Sequence, residues 1–464
     1  MSTAPTAPPN VERLLLIGAV ALITIGAFEN LAVTTILPVI ARDLDGFAIY
    51  ALAAGLPLAL QVVANALGGL LVDSISFQRP LLIGVVTTGA GLLTAGLAPE
   101  MWTLAIGRGV AGFGIGFITV SLYAAVGLVV PPERRPGFFA AFSAAWVVPS
   151  MVGPAIAGVL ADAGWWRAVL IGVVPLAVIA LLLLRPLLAT APSPPPSRTE
   201  RSRIRRRATS MIPAAVGLAA ALAVVQSAGA AGSELRSLVT AGTAFLVVLV
   251  LLPLLLPPGT FSLRRGVPAA IAARLFINGA VIGTEAYLPL LLQEGHSWSP
   301  TASGLVLTAG SVSWSLGAIL QARIRGTEKR YRWSVFGTLL VALGVCAAAA
   351  IVIPAVPPAF AAVGMLIAGL GMGITFASLS VFALDNTPGP RQGETSAALQ
   401  IADGSGAALA IAVVGVVIAI LGRDTAGFGT GFAILLVVAL ASVVATARVR
   451  KLTDPAPAPE VTAQ

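Results

Sequence analysis

The sequence predicts an all-α polytopic membrane protein, and three observations carry that prediction. Of 464 residues, 57% are apolar and only 10% are Asp, Glu, Lys or Arg, against roughly 25% charged in an ordinary soluble domain. The mean hydropathy is +0.96. The apolar residues fall into runs of about 20, the length of helix that crosses a hydrocarbon core about 30 Å thick. Such a chain cannot clothe a water-soluble globule with polar side chains, which excludes a soluble enzyme. The runs do not alternate as barrel strands do, and a bilayer otherwise admits only helices. One cysteine, Cys346, and one histidine, His296, exclude a disulfide framework and a Cys- or His-cluster metal centre. No metal and no organic cofactor is expected.

Fourteen spans follow along the chain. Span 1 covers 13–40, after a Pro- and Thr-rich start (1–12) expected to be disordered. It is too long, and too polar at Glu29 and Asn30, for a cleavable signal. The polar turn Asp43–Gly46 separates it from span 2 (47–72), and Asp73–Gln78 separates that from span 3 (79–98). Pro99 and Glu100 precede span 4 (101–130), and Pro131–Pro136 precedes span 5 (137–161). Gly164 precedes span 6 (166–189). Spans 7 (211–230) and 8 (237–256) are split by Ser233, Glu234 and Arg236. The segment Pro257–Gly266 leads into span 9 (267–293), and Glu294–Ser297 into span 10 (299–322). A basic stretch, Arg323–Arg330, precedes span 11 (332–353), and Pro354 precedes span 12 (357–382). Span 13 (395–421) and span 14 (426–448) flank Arg423 and Asp424, and the tail 452–464 resembles the start in composition.

The basic residues test this count. With both termini in the cytoplasm, alternate loops and ends on the cytoplasmic side hold 22 of the 28 lysines and arginines. The other side holds four, Arg42, Arg167, Arg236 and Arg423, and Arg108 and Arg274 lie inside spans. That asymmetry is the positive-inside rule. The net charge of +9 is therefore a topology signal, with anionic lipid headgroups as its partners and no nucleic acid.

One long connector, 190–210, carries Pro192, Pro194, Pro195 and Pro196, then Arg201, Arg203, Arg205, Arg206 and Arg207. It reads as a solvated cytoplasmic linker. Spans 7 and 8 behind it (211–256) carry no charge within the membrane and read as lipid-facing additions. Without them the chain divides into two six-helix units, 13–189 and 267–448.

Several motifs sit on these spans in a fixed order. Span 1 ends Glu29-Asn30-Leu31-Ala32-Val33-Thr34-Thr35-Ile36-Leu37-Pro38. The loop after span 2 reads Gly69-Leu70-Leu71-Val72-Asp73-Ser74-Ile75-Ser76-Phe77-Gln78-Arg79. Span 4 holds Gly107-Arg108-Gly109-Val110-Ala111-Gly112-Phe113-Gly114. Span 5 has Pro149, then Gly153-Pro154-Ala155-Ile156-Ala157-Gly158, and Trp165-Trp166-Arg167 follows. Together these resemble the major facilitator superfamily, and within it the 14-helix drug:proton antiporters. The family usually has Asp where Glu29 stands, and Gly where Ser76 stands. The resemblance implies two six-helix bundles and two extra helices. It implies a cytoplasmic gate in which Asp73 acts through Arg134 or Arg135. It also implies an antiporter motif made of Pro149, Gly153, Pro154 and Gly158, where small residues admit a neighbouring backbone and prolines bend the helix. The second-half copy of the Asp loop, near Gln321-Ala322-Arg323, lacks its acid.

Ionisable residues inside a span are costly and are functional candidates by default. At 1.5 Å of rise per residue, Glu29 lies roughly 5 Å and Arg108 roughly 9 Å to the outer side of the midplane. They can pair if spans 1 and 4 are neighbours. Burial and a nearby arginine act on a carboxyl's proton affinity in opposite directions. A site swinging between such settings loads a proton on one side and releases it on the other. Glu285, roughly 8 Å outside the midplane, and Asp403, roughly 6 Å inside it, are further proton-coupling candidates. Each also has a plain structural reading: a static ion pair, a wet position near the mouth, or a packing contact in a Gly-loosened helix. Arg274 reads as an arginine snorkelling to the interface.

Gln61 and Asn65 share a face of span 2 and, with Asn30, are candidates to line a cavity or to hydrogen-bond between helices. Phe113, Phe117, Trp146, Tyr287 and Trp314 are candidate cavity walls, against packed or lipid-facing roles. Trp102, Trp165 and Trp166 fit an interfacial belt. His296 reads as an inert loop residue and Cys346 as a small buried hydrophobe.

These readings converge on a monomeric secondary transporter of the inner membrane, not an enzyme. It is expected to export amphiphilic small molecules or drugs against protons by alternating access. Export or flipping of a lipid or a secondary metabolite on the same fold stays open. A membrane-integral enzyme or receptor is the reading from another class. Glu29, Glu285 and Asp403, at different depths on three helices, argue against it.

Overall fold

The computed structural model describes residues 9–130, 134–185, 198–227, 234–324, 326–387 and 392–450. Among them every regular element is a helix. In chain order these are α1 (Pro9–Asp43), α2 (Tyr50–Ile75), α3 (Gln78–Gly96), α4 (Met101–Val129) and α5 (Arg135–Asp162). Next come α6 (Trp166–Ile171, resuming at Val173–Leu183), α7 (Arg198–Gln226), α8 (Glu234–Leu255) and α9 (Val267–Leu290). The chain ends with α10 (Pro300–Ala322), α11 (Thr327–Ala349), α12 (Phe360–Asp385), α13 (Gln392–Leu421) and α14 (Thr425–Ala447).

Twelve helices among the described residues are long and apolar enough to cross a membrane. The expectation of fourteen is met at those twelve. In α5 and α7 the apolar stretches are shorter, Val148–Asp162 and Met211–Gln226. For α7 the cause is plain: its first turns are the arginine-rich run through Arg207. Two expectations are corrected at the same time. From Arg198 onward the expected linker is helix, because the arginines that make it polar are also good helix formers; residues 186–197 lie outside the described residues. The start of the chain is helical from Pro9, with proline at the first helical position, where it costs no hydrogen bond.

Turn chemistry sets several boundaries. The Ser299 side chain accepts the Ala302 N–H at 3.1 Å to start α10, and Asp424 accepts those of Ala426 and Gly427 at 3.0 and 3.1 Å to start α14, as N-caps do. Ser76, which ends α2, has φ +85° and ψ 166°, a region that is essentially glycine's alone.

The helices form two bundles. In the first, α4 packs on α2 and α3, and α1 on α5 and α6. In the second, α12 packs on α10 and α11, and α9 on α13 and α14. The bundles meet where α5 lies on α10, α2 on α13, and α1 on α9. The two halves repeat one glycine pattern. Gly107, Gly112, Gly114 and Gly116 of α4 match Gly364, Gly369, Gly371 and Gly373 of α12 in spacing. A Cβ at Gly112 would fall 2.3 Å from the Pro57 carbonyl oxygen, and one at Gly369 2.0 Å from that of Gly310. Without hydrocarbon-to-water contrast between helices, such close backbone approach drives packing. In this register Arg108 corresponds to Met365, so the buried arginine of the first half has no counterpart in the second.

The accessory helices differ from expectation. α7 packs on α2, α13 and α8, and Ala215, Leu218 and Leu222 are buried in one cluster with Val62 of α2 and Ala402 of α13. It covers the seam between the bundles rather than lying apart in lipid. A hydropathy profile cannot distinguish the two, because a helix-facing and a lipid-facing apolar side chain look alike in sequence.

Candidate functional site

Glu29 of α1 and Arg108 of α4 are each 2% exposed. Arg108 donates from Nε to Glu29 Oε1 at 3.2 Å and from Nη1 to the Ala53 carbonyl of α2 at 2.6 Å. Three helices of the first bundle therefore converge on one guanidinium. Burying a carboxylate and a guanidinium costs several kcal/mol per ion, and the cost is offset only where partners are in place.

The second bundle holds a second buried pair. Arg274 of α9 donates from Nε to Asp403 Oδ1 of α13 at 2.9 Å, and its Nη2 reaches Oδ2. Arg274 also donates to the Phe376 carbonyl at 3.2 Å and to Ser380, and its guanidinium lies 3.4 Å from the Phe376 ring centroid. The two residues are 4% and 8% exposed. Arg274 does not snorkel: a carboxylate on the neighbouring helix answers its charge in a bidentate fork. Asn278 of α9 donates to the Asp403 carbonyl at 2.9 Å, which ties the two helices at the same level. The expected packing role of Asp403 within its own helix is thus replaced by an interhelical ion pair.

Glu285 of α9 is 7% exposed and makes no ion pair or side-chain hydrogen bond among the described residues. It is a buried carboxyl without a fixed countercharge, unlike Glu29 and Asp403.

The expected gate is only partly within view. The side chains of Asp73 and Arg135 lie outside the described residues. Arg134 donates to Glu12 of α1 at 3.0 Å, so its described partner is an acid at the start of the chain.

The expected cavity residues do not gather in one place. Trp314 packs edge-on against Phe376, 5.8 Å between centroids, beside Arg274. Phe113 packs edge-on against Phe117 at 4.9 Å and against the cluster that contains α7. Tyr287 is buried, donates to the Ile411 carbonyl at 2.7 Å, and lies 5.7 Å from the Tyr50 ring. Trp146 is 48% exposed on α5. Gln61 and Asn65 are half-buried, and the Asn65 side chain and the Gln61 backbone carbonyl face α4, where Gly116 makes room for them. The Asn65 Oδ1 is buried and accepts no hydrogen bond among the described residues. Asn30 is half-buried beside Glu29, and its carbonyl accepts from Thr34 at 2.7 Å.

The motif of α5 lies between the bundles. Pro149, Gly153, Pro154 and Gly158 are all buried. A Cβ at Gly158 would fall 2.6 Å from the Thr301 Cα of α10, and one at Gly304 2.4 Å from the Pro154 carbonyl oxygen. Near them the face away from the termini is tied shut. Glu294 pairs with Arg42 and, at 3.7 Å, with Arg423. Gln293 donates to the Thr35 carbonyl at 3.0 Å, Tyr50 to that of Ala286 at 2.9 Å, and the Thr301 N–H to Asp162 at 3.2 Å. All of these contacts but the Glu294–Arg423 pair join one half of the chain to the other.

Two smaller expectations change, at Trp166 and Cys346. Trp166 is buried and donates from its indole N–H to Asp43 at 2.9 Å, so only Trp102 and Trp165, 45% and 67% exposed, suit an interfacial belt. Cys346 is exposed. His296 is held 2.9 Å from the Ile351 carbonyl.

Sequence reading missed Gln293, Tyr50 and Glu294, which lie outside its motifs. The glycine repeat of α4 and α12, by contrast, was present in the sequence as a spacing.

Comparison with known proteins adds the following. The family described as Major Facilitator Superfamily matches residues 16–411. A probable multidrug-efflux transporter of Mycobacterium tuberculosis is 26% identical over 428 residues, covering 86% of this chain and 87% of that one. A probable actinorhodin transporter of Streptomyces coelicolor is 28% identical over 358 residues, 71% of this chain and 58% of that one. Among solved structures, a POT family transporter in complex with 5-aminolevulinic acid superposes with a TM-score of 0.70 at 14% identity, covering 96% and 97% of the two chains. A D-xylose-proton symporter does so with a TM-score of 0.64 at 15% identity, covering 94% and 96%. At these identities the structures show the fold alone.

Proposed function

From the premise that the chain belongs to the major facilitator superfamily, and is a multi-pass membrane transporter rather than an enzyme, we propose that it exports amphiphilic small molecules in exchange for protons. The relatives named as efflux transporters support the direction of transport. The observation that carries the coupling is the pairing of Glu29 with Arg108 at a junction of α1, α2 and α4, both residues buried. Protonating Glu29 removes one charge of a buried pair and frees Arg108 to rearrange, so proton occupancy and helix position become linked. Glu285, buried without a countercharge, is the second proton site. The Arg274–Asp403 pair, held by more contacts, steadies α9 against α13 in the other bundle while the protons move.

The proposed cycle is alternating access between the two bundles. The contacts around Glu294 and Gly158 belong to the state closed on the face away from the termini. With both termini in the cytoplasm, as the arginine distribution supports, that state is open inward and takes up substrate. The membrane is then the cytoplasmic membrane, with anionic lipids against the basic face and the monomer as working unit. One proton moving through about 150 mV supplies roughly 3.5 kcal/mol, enough for a gradient of a few hundredfold.

Transport in proteoliposomes with an imposed pH gradient tests this. Glu29→Gln is expected to insert normally and to lose dependence on the gradient. Glu285→Gln and Asp403→Asn are expected to weaken coupling to differing degrees. Full pH-driven transport by Glu29→Gln removes Glu29 as the carrier. A second reading, export of a secondary metabolite, is favoured by the relative named as an actinorhodin transporter. Competition between a cationic dye and actinorhodin in the same vesicles separates the two.

A further inference from the structure

Two buried glutamines stand where the bundles meet on the face away from the termini. Gln226, the last residue of α7, is 1% exposed. Its Nε2 donates to the Ala408 carbonyl of α13 at 3.1 Å. The same amide lies against α2, where a Cβ at Gly55 would fall 2.2 Å from Nε2. Gln293, just beyond α9, is 5% exposed and donates from Nε2 to the Thr35 carbonyl of α1 at 3.0 Å. Each amide therefore touches both halves of the chain. In both, Oε1 is buried and accepts no hydrogen bond among the described residues.

A side-chain amide carries two donor hydrogens and an acceptor oxygen, and here the described contacts answer one donor. Turning the amide over does not help, since a backbone carbonyl only accepts. Nor do the carbonyls depend on the glutamines. Thr35 and Ala408 lie inside α1 and α13, where the N–H four residues on is their helical partner. Closing the face thus adds a bond to an acceptor already engaged, while the buried oxygen forfeits its water in full. Tyr50 crosses the same face differently: its one donor is spent on the Ala286 carbonyl at 2.9 Å. The rest of the α2–α13 seam is apolar. A Cβ at Gly415 would fall 2.3 Å from that of Ala51, and Val62 and Ala402 share one buried cluster with Leu218 and Leu222 of α7.

Opening this face parts α2 from α13 and α1 from α9, as alternating access requires, and lets water reach both amides. We infer that Gln226 and Gln293 are positioning residues of the transport cycle, half-answered when the face is shut and hydrated when it is open. They keep an otherwise apolar contact from becoming a lasting seal. The accessory helix then supplies a release point as well as apolar cover. This role presupposes alternating access but no particular coupling ion.

Single-molecule energy transfer on the full-length protein in nanodiscs, in acidic and neutral buffer, tests it. Dyes sit on Glu100→Cys and Ala355→Cys, exposed on this face in opposite halves, and Cys346→Ser removes the exposed native thiol. Gln226→Met and Gln293→Met keep the side chain's length and remove the amide. Each is expected to lower the open-to-closed ratio about fivefold, the scale of one unanswered buried polar atom, through longer closed dwells. The double variant is expected to lower it about 25-fold if the sites add. Thermal unfolding midpoints are expected at or above that of the wild type, where loss of a purely structural contact would lower them. Gln226→Asn and Gln293→Asn, which retain an amide, are expected to stay within about twofold of the wild-type ratio. A ratio unchanged or raised in the methionine variants overturns the role, as does an equal fall in the asparagine variants. A wild type that opens while the methionine variants match it removes this role alone. A wild type that never opens on this face removes alternating access with it.

Discussion

Arg108 and Arg274 share a problem and solve it differently. Each guanidinium is buried, and each is answered by one acid and one backbone carbonyl, but Arg274 adds a bidentate fork and an aromatic face. The more saturated pair is the harder to open, which suits Asp403 to holding and Glu29 to exchanging. Ser76 presents a separate residue-scale case. Its backbone, at φ +85°, lies where a side chain carries strain of about 1–3 kcal/mol, and the family it resembles has glycine there. Ser76→Gly is therefore expected to stabilise the protein by about 1 kcal/mol, less what the freer chain gains on unfolding. A rise in the thermal unfolding midpoint of purified protein checks this, and a fall would show that the hydrogen bond from Ser76 to Gln78 outweighs the strain.

At the scale of helices, backbone approach decides the architecture more than side-chain bulk. The paired glycines of α4 and α12 leave no room for a Cβ-bearing neighbour against Pro57 and Gly310. Gly369→Leu is expected to cost about 3 kcal/mol by overpacking and to abolish recovery of monodisperse protein. Gly242→Leu, with nothing within 4 Å, serves as the neutral control. A comparable yield for the two variants would show that α10 and α12 can separate without loss of the fold. This repeat was legible in the sequence as spacing alone. What the spacing could not supply was its partner, because the carbonyls it meets lie on helices distant in the chain.

At the scale of the whole molecule, the face away from the termini is held by contacts between halves, with Glu294 between Arg42 and Arg423 at its centre. These pairs are partly exposed, and such pairs are worth about 0–1 kcal/mol. Glu294→Gln is therefore expected to shift the population toward opening by about twofold to fivefold. Spin labels at Asp45 and Ser297, both exposed, report this as growth of a longer distance in the double electron–electron resonance distribution. An unchanged distribution would assign closure to the backbone contacts of Gly158 and Gly304 instead. The same scale separates what was readable early from what was not. Composition and run length were enough for a helical membrane protein, since the cost of burying a bare backbone in lipid leaves few alternatives. The Glu29–Arg108 pair was within reach because each is a lone charge in an apolar span. Arg274 with Asp403, the place of α7 on the seam, and the closed face were not. Each depends on which side of a helix faces which neighbour, and helices apolar on all sides carry no such record in their hydropathy.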